Sequence, residues 1–513
     1  MQTKLKNINI HTGFAIVIAL IVLLSRILFL DVAAGNDESM YALLGSKTLE
    51  GNALYTTFYE MKPPFLFYNY ALIAIFVKNS VIALHVVALI LSIINSSWIY
   101  FLTKELIDEK KSAVASLLFF TLSSSPYLVG TYLVSEHITL FFLLSAMLIL
   151  LVKSNNVYTS LGVSGALFAI SVLTKQSGLF FGPVFLLMLY FLKEEISYVK
   201  KLSYFSFGGI AIVLLTSLML YSTRSLEDAF YFLFTHSQKY TSSLSIDIGL
   251  QSLSYFSQVF IKNHWLPIFL ALLGIGTLIK QGLKSQHYII FLFLFMGILS
   301  IFPGFRFYYQ YWILLIPSIA ILGSMGLTFI RDEKSYQWIT LGSIGLHIFF
   351  NLSSYFPIDK DKLINAIYPG QYFKEIKLLS LKLKRQMNKE DQILVLGATP
   401  QVYMYTDRSP ITRHIWTPMI SYPNDRCKQY REELIATYEE VKPKYIFFSY
   451  APIHWTLTTD LSDEIYRYMY NQVSSNYQKI MAIDLKTGQI FGDDTVLSFE
   501  EKNNTIFIYK LAE

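Results

Sequence analysis

Long apolar runs separated by short polar breaks fill the chain up to about residue 356, after which the pattern changes. A helix that crosses a bilayer needs ~20 mostly apolar residues. Runs of that kind lie near 12–30, 79–103, 112–132, 136–152, 158–174, 176–192, 203–221, 264–280, 286–303, 308–330 and 336–356, which predicts about eleven transmembrane helices. The segment Pro64–Val77 is apolar but short, and it follows a proline pair. If it does not span, the basic residues Lys104, Lys110, Lys111, Lys153, Lys193, Lys200, Lys201, Lys280, Lys284, Arg331 and Lys334 all fall on the side of Lys4 and Lys6. That is the positive-inside distribution. Pro64–Val77 is therefore read as interfacial or re-entrant, with the N-terminus cytoplasmic and the C-terminus extracytoplasmic. Glu38–Glu50 reads as a second interfacial helix, with Met40, Leu43 and Leu44 on one face and Ser39, Ser46 and Lys47 off it.

Beyond 356, lysines and polar residues arrive together, and the periodicity shifts. Gln392–Leu396 with Gly397, Tyr445–Phe448, Tyr477–Asp484 and Thr505–Tyr509 read as strands, and Glu432–Glu440 as a helix stopped by Pro443. This divides the chain into a membrane domain, 1–356, and an α/β extracytoplasmic domain, 357–513, with a partly parallel sheet. Leu396-Gly397-Ala398-Thr399 is a lone glycine turn and carries no nucleotide-binding fingerprint.

Composition agrees: 53% of residues are hydrophobic and 15% charged, against about a quarter charged in soluble chains. The 40 Phe and 36 Tyr suit a membrane with wet interfaces. The net charge of +6 is spread over loops, and no basic stripe marks a nucleic-acid partner. Cys427 stands alone, which excludes an internal disulfide and a cysteine-based zinc cluster. The first apolar run, Phe14–Leu30, is longer than a signal-peptide core and is read as an uncleaved span. Arg26 near its end is expected to snorkel to the interface.

The ionisable groups predicted at the outer face come from separate places: Asp37, Glu38 and Lys62 in the first loop, then Glu136, Lys175 and Arg306. Charges at that depth are costly and usually functional. Carboxylates beside an acceptor hydroxyl act as general bases, and Lys or Arg on a phosphate stabilises the charge that builds as it leaves. Pro63 and Pro64 fix the direction of Lys62; proline at a helix entry is the bland reading of the same pair.

Asp37-Glu38 with Tyr41, followed by Lys62-Pro63-Pro64, resembles the first outer loop of GT-C glycosyltransferases of the protein O-mannosyltransferase and aminoarabinose transferase type. Ser135-Glu136-His137, Leu173-Thr174-Lys175-Gln176 and Arg306-Phe307-Tyr308-Tyr309-Gln310-Tyr311 are similar to later landmarks, so the resemblance covers about 12–356. It implies Asp37 as base, Lys62 on the lipid-linked phosphate, Glu136 as a second acid and Arg306 as the late basic residue. Catalysis thus falls on Asp37, Glu38 and Glu136, the donor phosphate on Lys62, Arg306 and Lys175, and the substrate rim on Tyr41, Tyr309, Gln310 and Tyr311. Met61 stands where relatives often carry an acid, and Gln310 where a His is common. His137, His236 and His264 show no ligand spacing, so no metal site is assigned; no cofactor is predicted, and dependence on a divalent cation stays open though nothing indicates it.

The resemblance implies a polyprenyl-phosphate sugar donor and a lipid, glycan or protein acceptor at the outer face of the cell membrane. Two other classes share these features. A transporter or flippase predicts midplane charges and inverted repeats; an envelope scaffold gives no reason for the charges to share one level.

Overall fold

In a computed structural model of the chain, the described residues are 10–58, 60–77, 80–153, 155–421, 425–451, 454–455, 460–492 and 505–512. The N-terminal part is a bundle of α1 (Ile10–Leu28), α2 (Asn36–Leu49), α3 (Pro64–Val77), α4 (Val81–Leu106), α5 (Glu109–Ser123), α6 (Ser135–Leu151), α7 (Val157–Thr174), α8 (Gly182–Phe191) and α9 (Tyr198–Ser222), followed by helices Ile246–Gln281, Ser285–Leu299, Ile316–Gly323 and Glu333–Phe350. This is a polytopic α-helical membrane protein. Each of the eleven predicted runs contains helix, but the expected span count is corrected: among the described residues only five helices are both long and apolar enough to cross a membrane. They are His11–Leu28, Val81–Leu106, Val157–Thr174, Tyr198–Ser222 and Ile246–Gln281.

The shortening has local causes. The run near 112–132 ends at Ser123 and restarts as a 3-10 turn at Pro126–Leu128. The runs near 176–192 and 308–330 each open as 3-10 helix, Gln176–Phe181 and Tyr309–Leu315, and become α-helical only beside Pro183 and Pro317. Proline lacks the backbone donor an α-helix interior needs, so it sits in first turns.

Two further expectations fail on packing. Arg26 does not reach an interface: it is 2% exposed, and its terminal nitrogens have no partner among the described residues. α2 has no solvent-facing polar side over most of its length, since Glu38 through Gly45 are buried in succession. Gly45 packs directly on α3, where a Cβ would stand 2.4 Å from Tyr70 Cβ.

What covers α2 is the C-terminal part. Among the described residues it has five strands, β1 (Ile393–Leu396), β2 (Tyr445–Ser449), β3 (Tyr477–Asp484), β4 (Ile490–Gly492) and β5 (Thr505–Leu511), ordered β1-β2-β5-β3-β4. β1 and β2 pair in parallel and the other pairs are antiparallel, so the sheet is mixed. β1 and β2 are buried at every residue, as a continuous apolar run in a covered parallel pair requires. The short β4 carried no strand signal. Met40, Leu43, Leu44 and Phe67 of the loop helices share one apolar core with Val395, Phe447 and Phe507 of the sheet. The Tyr405 hydroxyl accepts from Ala34 N at 2.7 Å, and Asn36 Nδ2 donates to Gln371 Oε1 at 2.7 Å, which ties the two parts at the start of α2.

The bundle itself closes through small residues. A Cβ on Gly165 of α7 would lie 1.8 Å from Phe205 O, and one on Gly208 of α9 would lie 1.8 Å from Gly162 O. Small residues at such crossings let helix backbones approach closely. Gly165→Ala and Gly208→Ala are each expected to cost about 1–3 kcal/mol by overpacking. Thermal unfolding in detergent checks this, with Gly276→Ala, inside a helix where a Cβ meets nothing within 4 Å, expected not to lower the midpoint and to raise it slightly through helix propensity.

Candidate active site

Helix ends place the charges. Asp37 and Glu38 lie in the first turn of α2, and Glu136 lies in the first turn of α6. A helix N-terminus carries partial positive charge and favours carboxylates there. Lys175 caps the C-terminus of α7, the end that favours a cation. The α6–α7 hairpin therefore brings Glu136 and Lys175 side by side, and Lys175 Nζ donates to Glu136 Oε1. Ser135 Oγ donates to the other oxygen, Glu136 Oε2, at 2.9 Å. The Lys175 ammonium also sits 4.3 Å from the centre of the Tyr311 ring, a cation–π contact.

These groups open onto one cavity of about 800 Å³. Every residue expected in the site lines it: Asp37, Glu38, Glu136, Lys62, Arg306, Lys175, Tyr41, Tyr309, Gln310 and Tyr311. Their engagement differs. Glu38 is 1% exposed and both its oxygens are taken, by Leu133 N–H at 2.7 Å and by His85 Nε2 at 3.1 Å. His85 Nδ1 faces Leu30 O at 2.9 Å, and a carbonyl only accepts, so Nδ1 carries a hydrogen. Glu38 and His85 thus form a clamp between α2, α4 and the loop before α6. Asp37 is half-buried and accepts from Gln310 Nε2 at 3.4 Å, with Tyr41 one turn on in α2. Burial raises the Asp37 carboxyl above its ordinary value, against the pull of Lys62.

Lys62 is held by its backbone. Its carbonyl accepts from the Tyr55 hydroxyl at 2.7 Å, the preceding Met61 carbonyl accepts from Gln176 Nε2 at 2.7 Å, and Pro64 opens α3. Glu60 also lines the cavity, 3.9 Å from Lys62 Nζ, and burial raises its carboxyl while Lys62 opposes the shift. Glu60, two positions before Lys62, was not expected from the sequence; nor were Tyr132, Tyr368, Trp416 and His454, which reach the cavity through tertiary packing and carry no local signal.

Arg306 stacks 4.0 Å over the Tyr240 ring and donates to Ser243 Oγ at 3.2 Å. It lies between Phe305 and Phe307, at φ 52° and 53°, just after Gly304 at φ 77°. Bulky residues rarely adopt the left-handed region, and such strain concentrates at functional sites. Trp312 Nε1 donates to Phe307 O at 3.0 Å and braces this turn. Among the described residues no group of three or more His, Cys, Asp or Glu side chains converges to hold a metal ion.

Residues 61–221 match the sequence model of the dolichyl-phosphate-mannose-protein mannosyltransferase family, about a third of the chain. No curated protein matches it in sequence. Among solved structures, the Archaeoglobus fulgidus oligosaccharyltransferase tethered to an acceptor peptide with an NVT sequon is similar at a TM-score of 0.53 and 14% identity, over 99% of this chain and 76% of that one. The same enzyme with Zn and sulfate gives 0.50 and 13%, over 96% and 74%. ArnT from Cupriavidus metallidurans bound to undecaprenyl phosphate gives 0.50 and 15%, over 77% and 75%. The chain therefore has the GT-C fold.

Glu38→Ala is expected to destabilise the protein by about 3–5 kcal/mol, since it strands buried His85 and Leu133 N–H. Asp37→Asn has the opposite sign. A carboxyl whose folded pKa is raised contributes stability below its unfolded value, near 3.8, and loses it as pH rises through the folded value. The asparagine variant should therefore melt higher than the parent at neutral pH, with the gap closing toward acid pH in a thermal scan series.

Proposed function

We propose that the protein transfers a sugar from a polyprenyl-phosphate-linked donor to an acceptor hydroxyl of a lipid, glycan or protein, at the outer face of the cell membrane. The observation that carries this reading is the convergence of Asp37, Glu60, Lys62, Glu136, Lys175 and Arg306, from distant parts of the chain, on one cavity in an otherwise apolar bundle. The family match over 61–221 and the GT-C fold support it.

Asp37 is the general base. Its carboxylate takes the acceptor's hydroxyl proton as that oxygen bonds to the anomeric carbon. The bond from this carbon to the phosphate oxygen breaks, and the lipid phosphate leaves with the electron pair. Attack from the face opposite the phosphate inverts the anomeric centre. Tyr41 and Gln310 orient Asp37, and burial makes it a stronger base than a solvated carboxylate. Lys62 and Arg306, with Lys175, face the leaving phosphate and stabilise its charge. Glu136 positions Lys175, and Tyr309 and Tyr311 shape the sugar rim. Glu38, first expected among the catalytic groups, serves the clamp instead. Positive charge opposite the phosphate comes from these side chains.

Asp37→Asn should lower kcat by about 10²–10⁴-fold with purified polyprenyl-phosphate sugar. Lys62→Ala should raise KM for the donor and move the acid limb of the pH–rate profile upward, because Lys62 holds the Asp37 pKa down. Full activity in both variants would remove the mechanism.

Residues 1–356 form the membrane domain and 357–513 an extracytoplasmic domain, with a cytoplasmic N-terminus. Cys427 is buried and does not report on this directly. A Cys427→Ser, Lys486→Cys variant places a thiol at an exposed site. Impermeant maleimide should label it on intact cells; labelling only after lysis would reverse the topology.

A further inference from the structure

The cavity is electrically divided. Among the described residues, its charged side chains all come from residues 37–306, whereas those that line it after 356, among them Tyr368, Gln371, Ala398, Trp416, Pro418 and His454, carry no charge. Part of this second wall, with Ala398 and His454, lies just beyond the carboxyl ends of the parallel strands β1 and β2, where open α/β sheets hold ligands. It is built with care. Gly397 directly follows β1 at φ 146°, and a Cβ there would stand 2.9 Å from Ser449 Cβ. Gly397 N donates to Thr417 Oγ1 at 2.8 Å and its carbonyl accepts from Thr417 N at 3.4 Å, which fixes the turn carrying Trp416. At the end of β2, Ser449 Oγ lies 2.7 Å from His454 Nδ1, and His454 N donates to Ala451 O at 2.9 Å. His454 is 1% exposed, lines the cavity, and its Nε2 has no hydrogen-bond partner among the described residues.

We propose that this wall is the acceptor subsite and that the acceptor is a neutral glycan, with His454 Nε2 hydrogen-bonding one of its hydroxyls and the half-buried Trp416 ring packing on a sugar face. A buried polar atom without a partner costs free energy, and a hydroxyl of the bound acceptor would satisfy it. Burial holds the His454 pKa down to about 4, so the imidazole is neutral near pH 7 and suits a hydroxyl better than a phosphate. A charged acceptor set against an uncharged wall would lose hydration without compensation. The polarised C–H face of a sugar ring matches the electron-rich face of an indole. The two walls then divide the work, the charged one for the donor's phosphate and the uncharged one for the acceptor. This inference rests on the transfer reading above.

The test uses the full-length protein in detergent. Binding is measured to an array of neutral oligosaccharides, to hydroxyl-bearing peptides and to anionic lipid headgroups, and in parallel to polyprenyl phosphate. The wild type is expected to prefer neutral oligosaccharides. His454→Ala and Trp416→Ala should each weaken that binding about tenfold or more, roughly 1.4 kcal/mol. His454→Gln, which keeps a hydrogen-bonding group, should retain more of it than His454→Ala at matched thermal midpoint. Polyprenyl phosphate should bind the His454 variants as it binds the wild type. Preference for peptides or anionic headgroups, or unchanged glycan affinity in both alanine variants, would overturn the proposal. Lys62→Ala serves as the reciprocal arm: if it keeps full affinity for polyprenyl phosphate, the donor reading fails while the glycan subsite stands.

Discussion

A charge in an apolar helical bundle survives only beside an opposite charge or a dipole of the right sign, and this constraint organises the cavity. Glu136 and Lys175 meet because a hairpin of two helices turns between them, and each stands at the helix end whose partial charge favours it. A buried ion pair of this kind is weak evidence for stability, since desolvation consumes much of the Coulomb gain. Its retention makes sense as a way to keep an ammonium, further braced by Tyr311, facing a wet cavity. Asp37 follows the same rule at the start of α2, with Lys62 opposing the cost of its burial.

The second organising feature is the shared core between the first loop and the sheet. α2 carries Asp37 on one side and contributes Met40, Leu43 and Leu44 to a core completed by β1, β2 and β5. Asp37 is therefore set on a helix held from both sides rather than on a free loop, which suits a group that must keep a fixed direction. The Glu38–His85 clamp and the Tyr405–Ala34 hydrogen bond restrain the same helix from the bundle and from the sheet. The sheet contributes from its position: the segments after β1 and β2 add Ala398 and His454 to the cavity lining.

Much of this was legible in the chain. The apolar runs marked most bundle helices, though the run near 264–280 covers only the second half of Ile246–Gln281, and alternating strand and helix signals found four of the five described strands and the parallel component. The ten candidate residues converge because each lies beside an element boundary that the sequence does mark, such as Pro63-Pro64 or the polar break at Ser135. What the sequence did not carry is tertiary. Serine and proline breaks cut apolar runs into helices too short to span, and hydropathy alone averages over them. Arg26 and α2 are buried by partners distant in the chain, so neither snorkelling nor amphipathicity could report it. Glu60, two positions before Lys62, was not expected. Trp416 and His454 are ordinary loop residues until the sheet folds against the bundle.

The most direct measurement is an experimental structure of the protein with polyprenyl phosphate bound. The account predicts the phosphate inside the cavity, within hydrogen-bonding distance of Lys62 and on the side of Lys175 and Arg306, with Asp37 facing the space where an acceptor oxygen would stand. A phosphate bound elsewhere in the bundle, with the cavity between Asp37 and Lys62 left to solvent, would contradict it.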